Sequence, residues 1–407
     1  VSPTPSAADE LPLAGYIILD LTRVLAGPYC TRLLCDLGAR VIKIERPGDG
    51  DETRRNYLQL EPGRTDQSSY FHRVNAGKES VAVDMARPEG RAVIHDLARH
   101  ADVFVENFMP GVAGRLGCDE KTLRALKPDL VYCSISGFGQ TGPWRARPAF
   151  AHIINAQSGL MHLEQGDEAA PRASNLQAAD VLAGTHAAGA IMAALIRRGR
   201  TGRGAYLDVS MLEALVAADS VTYAAVLNGG QEHGNPRPGM VVAAIGDRSL
   251  AMQFVGSAEL WPRMLGLMGR PELDRDPRFD STEKRRVNWR ALREIVTAWL
   301  LTFPSVDAAL AALAEARIPC APVLRPAEVI ASPHLAERGF FPAVPHPARG
   351  DVRVTASPYH LDGRALGPRS PAPYRVGEHT RSVLESLLGY APARVSGLAR
   401  AGFVETP

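Results

Sequence analysis

The chain has 407 residues, with 46 basic side chains against 44 acidic ones and a net charge of +2. That length exceeds one simple core and points to about two domains. The near-neutral, interspersed charge excludes a chain-wide field for nucleic acid. Five cysteines, Cys30, Cys35, Cys118, Cys133 and Cys320, have neither CxxC spacing nor clustered histidines. They exclude a disulfide framework and a structural zinc site, and they read as reduced core thiols in a cytoplasmic protein without a bound metal.

In chain order, residues 1–12 (VSPTPSAADELP) lack the basic and apolar regions of a signal peptide and read as a flexible extension. Short β-branched runs follow at 16–19, 41–44, 80–83, 103–105 and 130–135. Helical spacing of apolar residues appears at 29–37, 88–99 and 120–126. The alternation predicts a parallel α/β sheet, doubly wound because strands such as VIKI are apolar on both faces, with ligands at the strand C-terminal ends.

From Val181 to about Asn228 the pattern is helical, interrupted by the basic turn Arg197–Arg203, read as a solvated connection, and a short strand at 206–209. Gly184, Ala187, Ala188 and Gly189 sit on neighbouring helix positions and predict close approach of another backbone. The apolar run 181–196 contains Thr185 and His186 and falls short of the roughly 20 residues of a membrane span, so no membrane partner is expected. A Gly- and Pro-dense stretch, 228–239, predicts a linker. A second unit follows, with hairpin strands at 241–244 and 249–254 around Gly246-Asp247 and helices at 289–301 and 306–316. The Pro-rich tail has helical stretches at 327–330 and 380–388 and little core of its own, so it must pack on something else.

Asp180 ends NLQAAD immediately before the small-residue helix. A carboxylate in a first turn is held by free amides and the macrodipole, in a form able to attack an acyl carbon; the plainer alternative is an N-cap. The first βα turn, LDLTRVLAGP, has only Gly27, one glycine where a dinucleotide fingerprint needs three, and no Walker A motif occurs. Neither NAD, FAD nor ATP is expected. Arg46 ends the second strand, ENFMPG (Glu106–Gly111) follows the fourth with Arg115 one turn on, and SISGFGQTGP follows the fifth. Three such loops on one sheet edge suit a long, phosphate-bearing, partly apolar ligand.

These segments, together with VNAGKESVAVD, RPAF, TGRGAYLDVSMLEA, RIPCAPV and GEHT, resemble the class III (CaiB/BaiF-type) CoA-transferases from Leu13 to about Leu388. The resemblance implies a Rossmann-like doubly wound large domain (13–225 with 323–407), a smaller inserted α+β domain (226–322) and an interlocked homodimer. It implies transfer of CoA from an acyl-CoA donor to a carboxylic acid through an aspartyl anhydride and an aspartyl-CoA thioester. Coenzyme A is then a substrate, and Asp180 the nucleophile. Val24, Leu25, Ala26, Arg46, Asn107, Phe108, Arg115 and Phe138 match CoA-contacting positions.

Leu25 stands where oxalate-handling members carry glutamine, which disfavours oxalate. His72 and Arg73 are candidate ligands for a second carboxylate on the acceptor, with succinyl-CoA as the donor, and a lid at NGGQ (228–231) would exclude water. An α-methylacyl-CoA racemase would need a histidine and an aspartate at Phe150 and Ala151, whereas His152 is displaced by two residues. A passive CoA binder is the reading in which Asp180 only caps its helix.

Overall fold

The computed structural model describes residues 10–165, 170–230, 238–254 and 258–407. Residues 1–9 of the extension expected at 1–12 therefore lie outside the described residues, as do positions 231–237 of the linker, which include the last residue of the expected lid.

Six parallel strands form the main sheet: β1 (Ile17–Asp20), β2 (Arg40–Glu45), β3 (Glu79–Val83), β4 (Val103–Glu106), β5 (Val131–Ser136) and β6 (Ala205–Ser210). Their order is 3-2-1-4-5-6, and the short strand Val404–Glu405 adds antiparallel to β3. This is the Rossmann order, in which the direction of winding reverses between β1 and β4 and opens a crevice beyond their C-terminal ends. The mixed α/β class read from the sequence is thus correct. The connecting helices are α1 (Ala26–Asp36), α2 (Ser69–Asn75), α3 (Pro88–His100), α4 (Val112–Arg115), α5 (Glu120–Leu126), α6 (Ala151–Gln157), α7 (Leu160–Gln165) and α8 (Ala178–Thr201).

Strand residues alternate between two cores because successive side chains leave opposite faces. Ile18, Val41, Val105 and Cys133 face α1 and α8. Leu19, Ile42, Phe104 and Tyr132 face α3, α5 and the C-terminal helix Thr380–Leu388. Both faces are therefore covered, and this explains the uninterrupted apolar strands.

The crowding expected of the small-residue helix is realised between α8 and α1. A Cβ on Gly184 would stand 2.5 Å from the carbonyl oxygen of Ala26 and 3.2 Å from the amide nitrogen of Cys30. At 24 residues α8 is, by length and composition, long and apolar enough to cross a membrane, contrary to the sequence reading. Its Ala183, Gly184, Ala187, Ala188 and Ile191 are nevertheless buried in the protein core. Gly184→Ala should cost about 1–3 kcal/mol, because the obstructing atoms are backbone and cannot rotate away. A thermal melt checks this, and an unchanged melting temperature would contradict the close packing.

By its internal contacts the chain divides into two compact units: Val1–Leu160 with Ala173–Tyr223 and Pro333–Pro407, and Met161–Arg172 with Ala224–Ser332. In the second unit the strands Met240–Ile245 and Arg248–Gln253 pair across the Gly246-Asp247 turn, and Cys320–Pro322 adds to the latter strand. Helices Leu260–Met268, Trp289–Leu300 and Val306–Glu315 cover this sheet around Phe254, Leu292 and Leu313.

The tail packs on the first unit. Thr380 Oγ1 accepts from the Ala82 amide at 3.0 Å, and Ser80 Oγ accepts from the Gly377 amide at 2.9 Å. Its last helix, Pro392–Arg400, was not read from the sequence. Only Val395 of that helix is fully buried, so its apolar stripe is too narrow to show as periodicity.

Candidate active site

The loop from β1 to α1 is held by buried ions. Lys78 Nζ bonds Asp20 Oδ2 (3.0 Å), Thr31 Oγ1 (2.8 Å), Asn75 Oδ1 (2.9 Å) and the Pro28 carbonyl (3.0 Å). Asp20 Oδ1 accepts from the Thr22 hydroxyl and amide, and Lys43 Nζ reaches the Thr22 carbonyl at 2.7 Å and Asp51 at 2.9 Å. Burial pushes the Asp20 carboxyl up, but Lys78 and Lys43 outweigh it and hold the group below its ordinary range. This scaffold sets Val24 at φ 68°, a conformation that a β-branched residue adopts only under strain of about 1–3 kcal/mol.

Across the switch point, Asn107 Oδ1 accepts from the Arg23 amide and Asn107 Nδ2 donates to the Arg23 carbonyl, both at 2.8 Å. The amide that the sequence assigned to a ligand is therefore occupied in tying the β1 and β4 loops together. Glu106 fixes the same turn: its carboxyl bonds Ser134 Oγ and accepts from the Phe108 amide at 2.8 Å, and burial pushes its pKa up to about 7.

Asp180 is the third residue of α8. The N-cap is Gln177, and neither α8 nor α1 has a side-chain cap. The plain N-cap reading of Asp180 therefore does not hold. Its own amide and the amide of Ala26, the first residue of α1, both favour the charged form of this carboxyl. Two helix N-termini thus converge on one carboxylate, and both macrodipoles favour negative charge there. Burial nonetheless dominates and pushes the carboxyl up to about 6, with these amides and His152 opposing it.

Asp180 opens into a cleft of about 260 Å³ with Val24, Ala26, Asn107, Phe108, Met109 and Phe150 in its wall. Arg23, Glu52 and Phe108 are shared with a second cavity of about 480 Å³, lined by Ile44, Arg46, Val83, Met85, Val112 and Leu116. One end is thus a carboxylate in a narrow cleft, and the other a larger, mainly apolar hollow with cations at its edge.

The structure brings Val24, Ala26, Asn107, Phe108, Arg46 and Asp180 to these two cavities. Arg46 is ion-paired with Asp49 at the surface. Leu25 is not in the wall: it is 1% exposed, turned into the core as the residue preceding α1. Arg115 is exposed on α4 and lines neither cavity, although Val112 and Leu116 on the same short helix line the larger one. Phe138 packs on the α1–α8 core and lies edge-on to Trp144, with ring centroids 5.9 Å apart, and lines neither cavity.

His72 is a correction. It is 2% exposed, with Nε2 3.3 Å from Gln67 Oε1, which also meets His346 at 3.3 Å. Burial, with His346 and Arg54, pushes its pKa down to about 4. A neutral ring enclosed in the fold cannot bind an acceptor carboxylate. Arg73 lines a separate small crevice with Tyr29, Arg32 and Asp36. His152 is exposed, its Nδ1 2.9 Å from the Ser174 carbonyl oxygen, and Phe150 and Ala151 provide no acid–base pair.

Sequence reasoning missed Arg23, Glu52, Arg145 and Arg147, all of them in the cleft wall. The LTR and RPAF segments contained the only signal, and neither has a spacing that announces a site.

Residues 13–380 match the CoA-transferase family III profile. The chain is 34% identical over 410 residues to the succinyl-CoA:glutarate CoA-transferase of Mus musculus, covering 97% of this chain and 90% of that protein. It is 36% identical over 368 residues to the acetyl-CoA:oxalate CoA-transferase of Acetobacter aceti, covering 88% and 92%. Among solved structures, a CAIB/BAIF family protein from Brucella suis superposes with a TM-score of 0.78 at 30% identity, covering 93% of this chain and 99% of that one. A fold, a cleft and a sequence match that run together over nearly the whole length make this chain a member of CoA-transferase family III.

Proposed function

We propose that this CoA-transferase moves CoA from succinyl-CoA to a dicarboxylic acid of glutarate size, with Asp180 as the nucleophile. The observation that carries the mechanism is the half-buried Asp180 carboxylate in the first turn of α8, beside the first residue of α1, opening into a cleft that shares part of its wall with a larger cavity. CoA would lay its nucleotide in the larger cavity by Arg46 and pass its pantetheine arm by Arg23 and Phe108 to the cleft.

An Asp180 oxygen then attacks the thioester carbonyl. A C–O bond forms, the C–S bond breaks, and CoA leaves as thiolate beside an aspartyl mixed anhydride. The thiolate attacks the aspartyl carbonyl, releasing the first acid and leaving aspartyl-CoA thioester. The acceptor carboxylate attacks that thioester, giving a second anhydride and thiolate, and the thiolate takes the new acyl group and frees Asp180. Each thioester made replaces one broken, so no ATP is consumed. The α1 amides, aimed at the site before reaction begins, stabilise the oxyanions.

Succinyl-CoA and glutarate enter from the names of relatives, including a succinate–glutarate CoA-transferase of Agrobacterium fabrum that is 32% identical over 389 residues. The oxalate reading finds no glutamine at position 25, where the side chain is a buried leucine. Five unpaired cysteines are in keeping with a cytoplasmic location, and the homodimer is carried over from the family resemblance.

Incubation with succinyl-CoA followed by borohydride or hydroxylamine should modify the Asp180 peptide, as seen by mass spectrometry. An unmodified peptide under turnover conditions would refute the covalent route. The pH profile follows from the raised carboxyl: kcat/KM, which reports the free enzyme, should fall about tenfold per pH unit below pH 6 and be level above it. A level profile down to pH 4.5 would exclude Asp180 as the ionised attacking group.

A further inference from the structure

The cleft around Asp180 contains three cations that could meet an anionic substrate group: Arg23, Arg145 and Arg147. Arg23 is already engaged. Its guanidinium is 3.2 Å from Glu52, lies 5.9 Å from the Phe108 ring centroid, and belongs equally to the larger cavity.

Arg145 and Arg147 occupy the loop between β5 and α6, line only the Asp180 cleft of the two, and have no carboxylate partner among the described residues. Arg147 is also pre-positioned. Its guanidinium carbon sits 4.7 Å from the centroid of Trp144, and its amide donates to the Trp144 carbonyl at 2.8 Å. Trp144 in turn leans edge-on against Phe138, which is packed on the core. A guanidinium seated on an aromatic ring loses little freedom when it binds, and its two parallel N–H groups match a carboxylate.

We infer that Arg147, with Arg145 as a second cation, recognises the distal carboxylate of a dicarboxylic acyl group whose other end is bound at Asp180. This assignment rests on the dicarboxylate reading above and transfers to Arg147 the role that His72 cannot fill. With Asp180 at one point of the cleft wall and the arginines at another, the site selects for an acid with two charged ends. The same cations would also suit a phosphate of CoA, so the test must separate the two.

Acceptor kcat/KM is measured for glutarate and for valerate, which has the same five carbons and one carboxylate, against one donor so that effects on the donor divide out. Arg147→Gln should lower the glutarate-to-valerate ratio about 10- to 100-fold, as expected for a lost charge-assisted pair. Arg147→Met, which keeps the stem on Trp144, should do the same. Arg147→Lys should restore part of the ratio, and Arg145→Gln should lower it less than Arg147→Gln.

A ratio within about twofold of wild type in both neutral Arg147 variants overturns the inference. So does an unchanged ratio with weakened binding of free CoA, which would place the arginine on a phosphate. A wild-type enzyme that prefers valerate to glutarate would instead refute the underlying dicarboxylate reading, and is distinguished because it appears before any mutation is made.

Discussion

Replacing Asp180 by asparagine is expected to reduce CoA transfer by roughly 10³-fold or more while making the protein more stable. Activity falls because an amide oxygen cannot form the anhydride. Stability rises because the carboxyl titrates near 3.8 in the unfolded chain and near 6 in the fold, where burial opposes its charge. Between those values the unfolded state ionises first. The native state therefore loses ground as pH rises, and the cost is complete above pH 6. At about 1.4 kcal/mol per pH unit the gap is on the order of 3 kcal/mol, and solvent screening at a partly open cleft brings it to roughly 1–2 kcal/mol.

Asparagine removes that cost while keeping the shape of the side chain. Denaturant melts of Asp180→Asn should exceed wild type at pH 8 and converge with it near pH 4. Equal stability at both pH values would mean that the carboxylate carries no burial penalty, and retained turnover would remove it from the chemistry.

Lys78→Met is expected to cost about 3–5 kcal/mol, the largest stability loss foreseen for a single change in the first unit. Lys78 and Asp20 are both fully enclosed, and the lysine spends its hydrogen-bonding capacity on Asp20, Thr31, Asn75 and the Pro28 carbonyl. Removing the lysine leaves the Asp20 charge in a low-dielectric interior with Lys43 as its remaining cation. The loop carrying Thr22 to Ala26 would also lose its anchor, so activity should drop beyond the loss of folded protein.

The double variant Asp20→Asn/Lys78→Met separates the effects. It should recover a large part of the stability, because no uncompensated charge remains, yet it should not recover activity. If Lys78→Met alone folds with wild-type stability, the buried network is not what sets the strained Val24 loop.

The sheet, its parallel sense and both helical covers of the first unit were legible because their cause is local and periodic. A β-branched run such as VIKI is apolar on both faces only if both faces are buried, and the Gly- and Ala-rich stretch at 183–189 makes sense only where another helix presses close. The position of Asp180 at the start of that helix was legible, although the helix begins two residues earlier, at Ala178.

The side chains around Asp180 were not. Leu25 and Val24 are neighbours in a loop whose strained backbone turns one into the core and the other into the cleft. Asn107 looks like a ligand in sequence and is consumed by the Arg23 backbone in space. His72 and Arg73 look like an exposed anion site, yet the α2 turn that carries them buries the histidine against Gln67 and His346.

By itself, then, the sequence determined the fold class and the family, and it proposed one carboxylate as the nucleophile, because hydrophobic period and motif order survive without knowledge of contacts. The tertiary structure alone decided which polar groups are free to meet a substrate. A donor or acceptor is available only if no neighbour has already satisfied it, and such neighbours can lie tens to hundreds of residues away along the chain, as Asn107 does from Arg23 and His346 from Gln67.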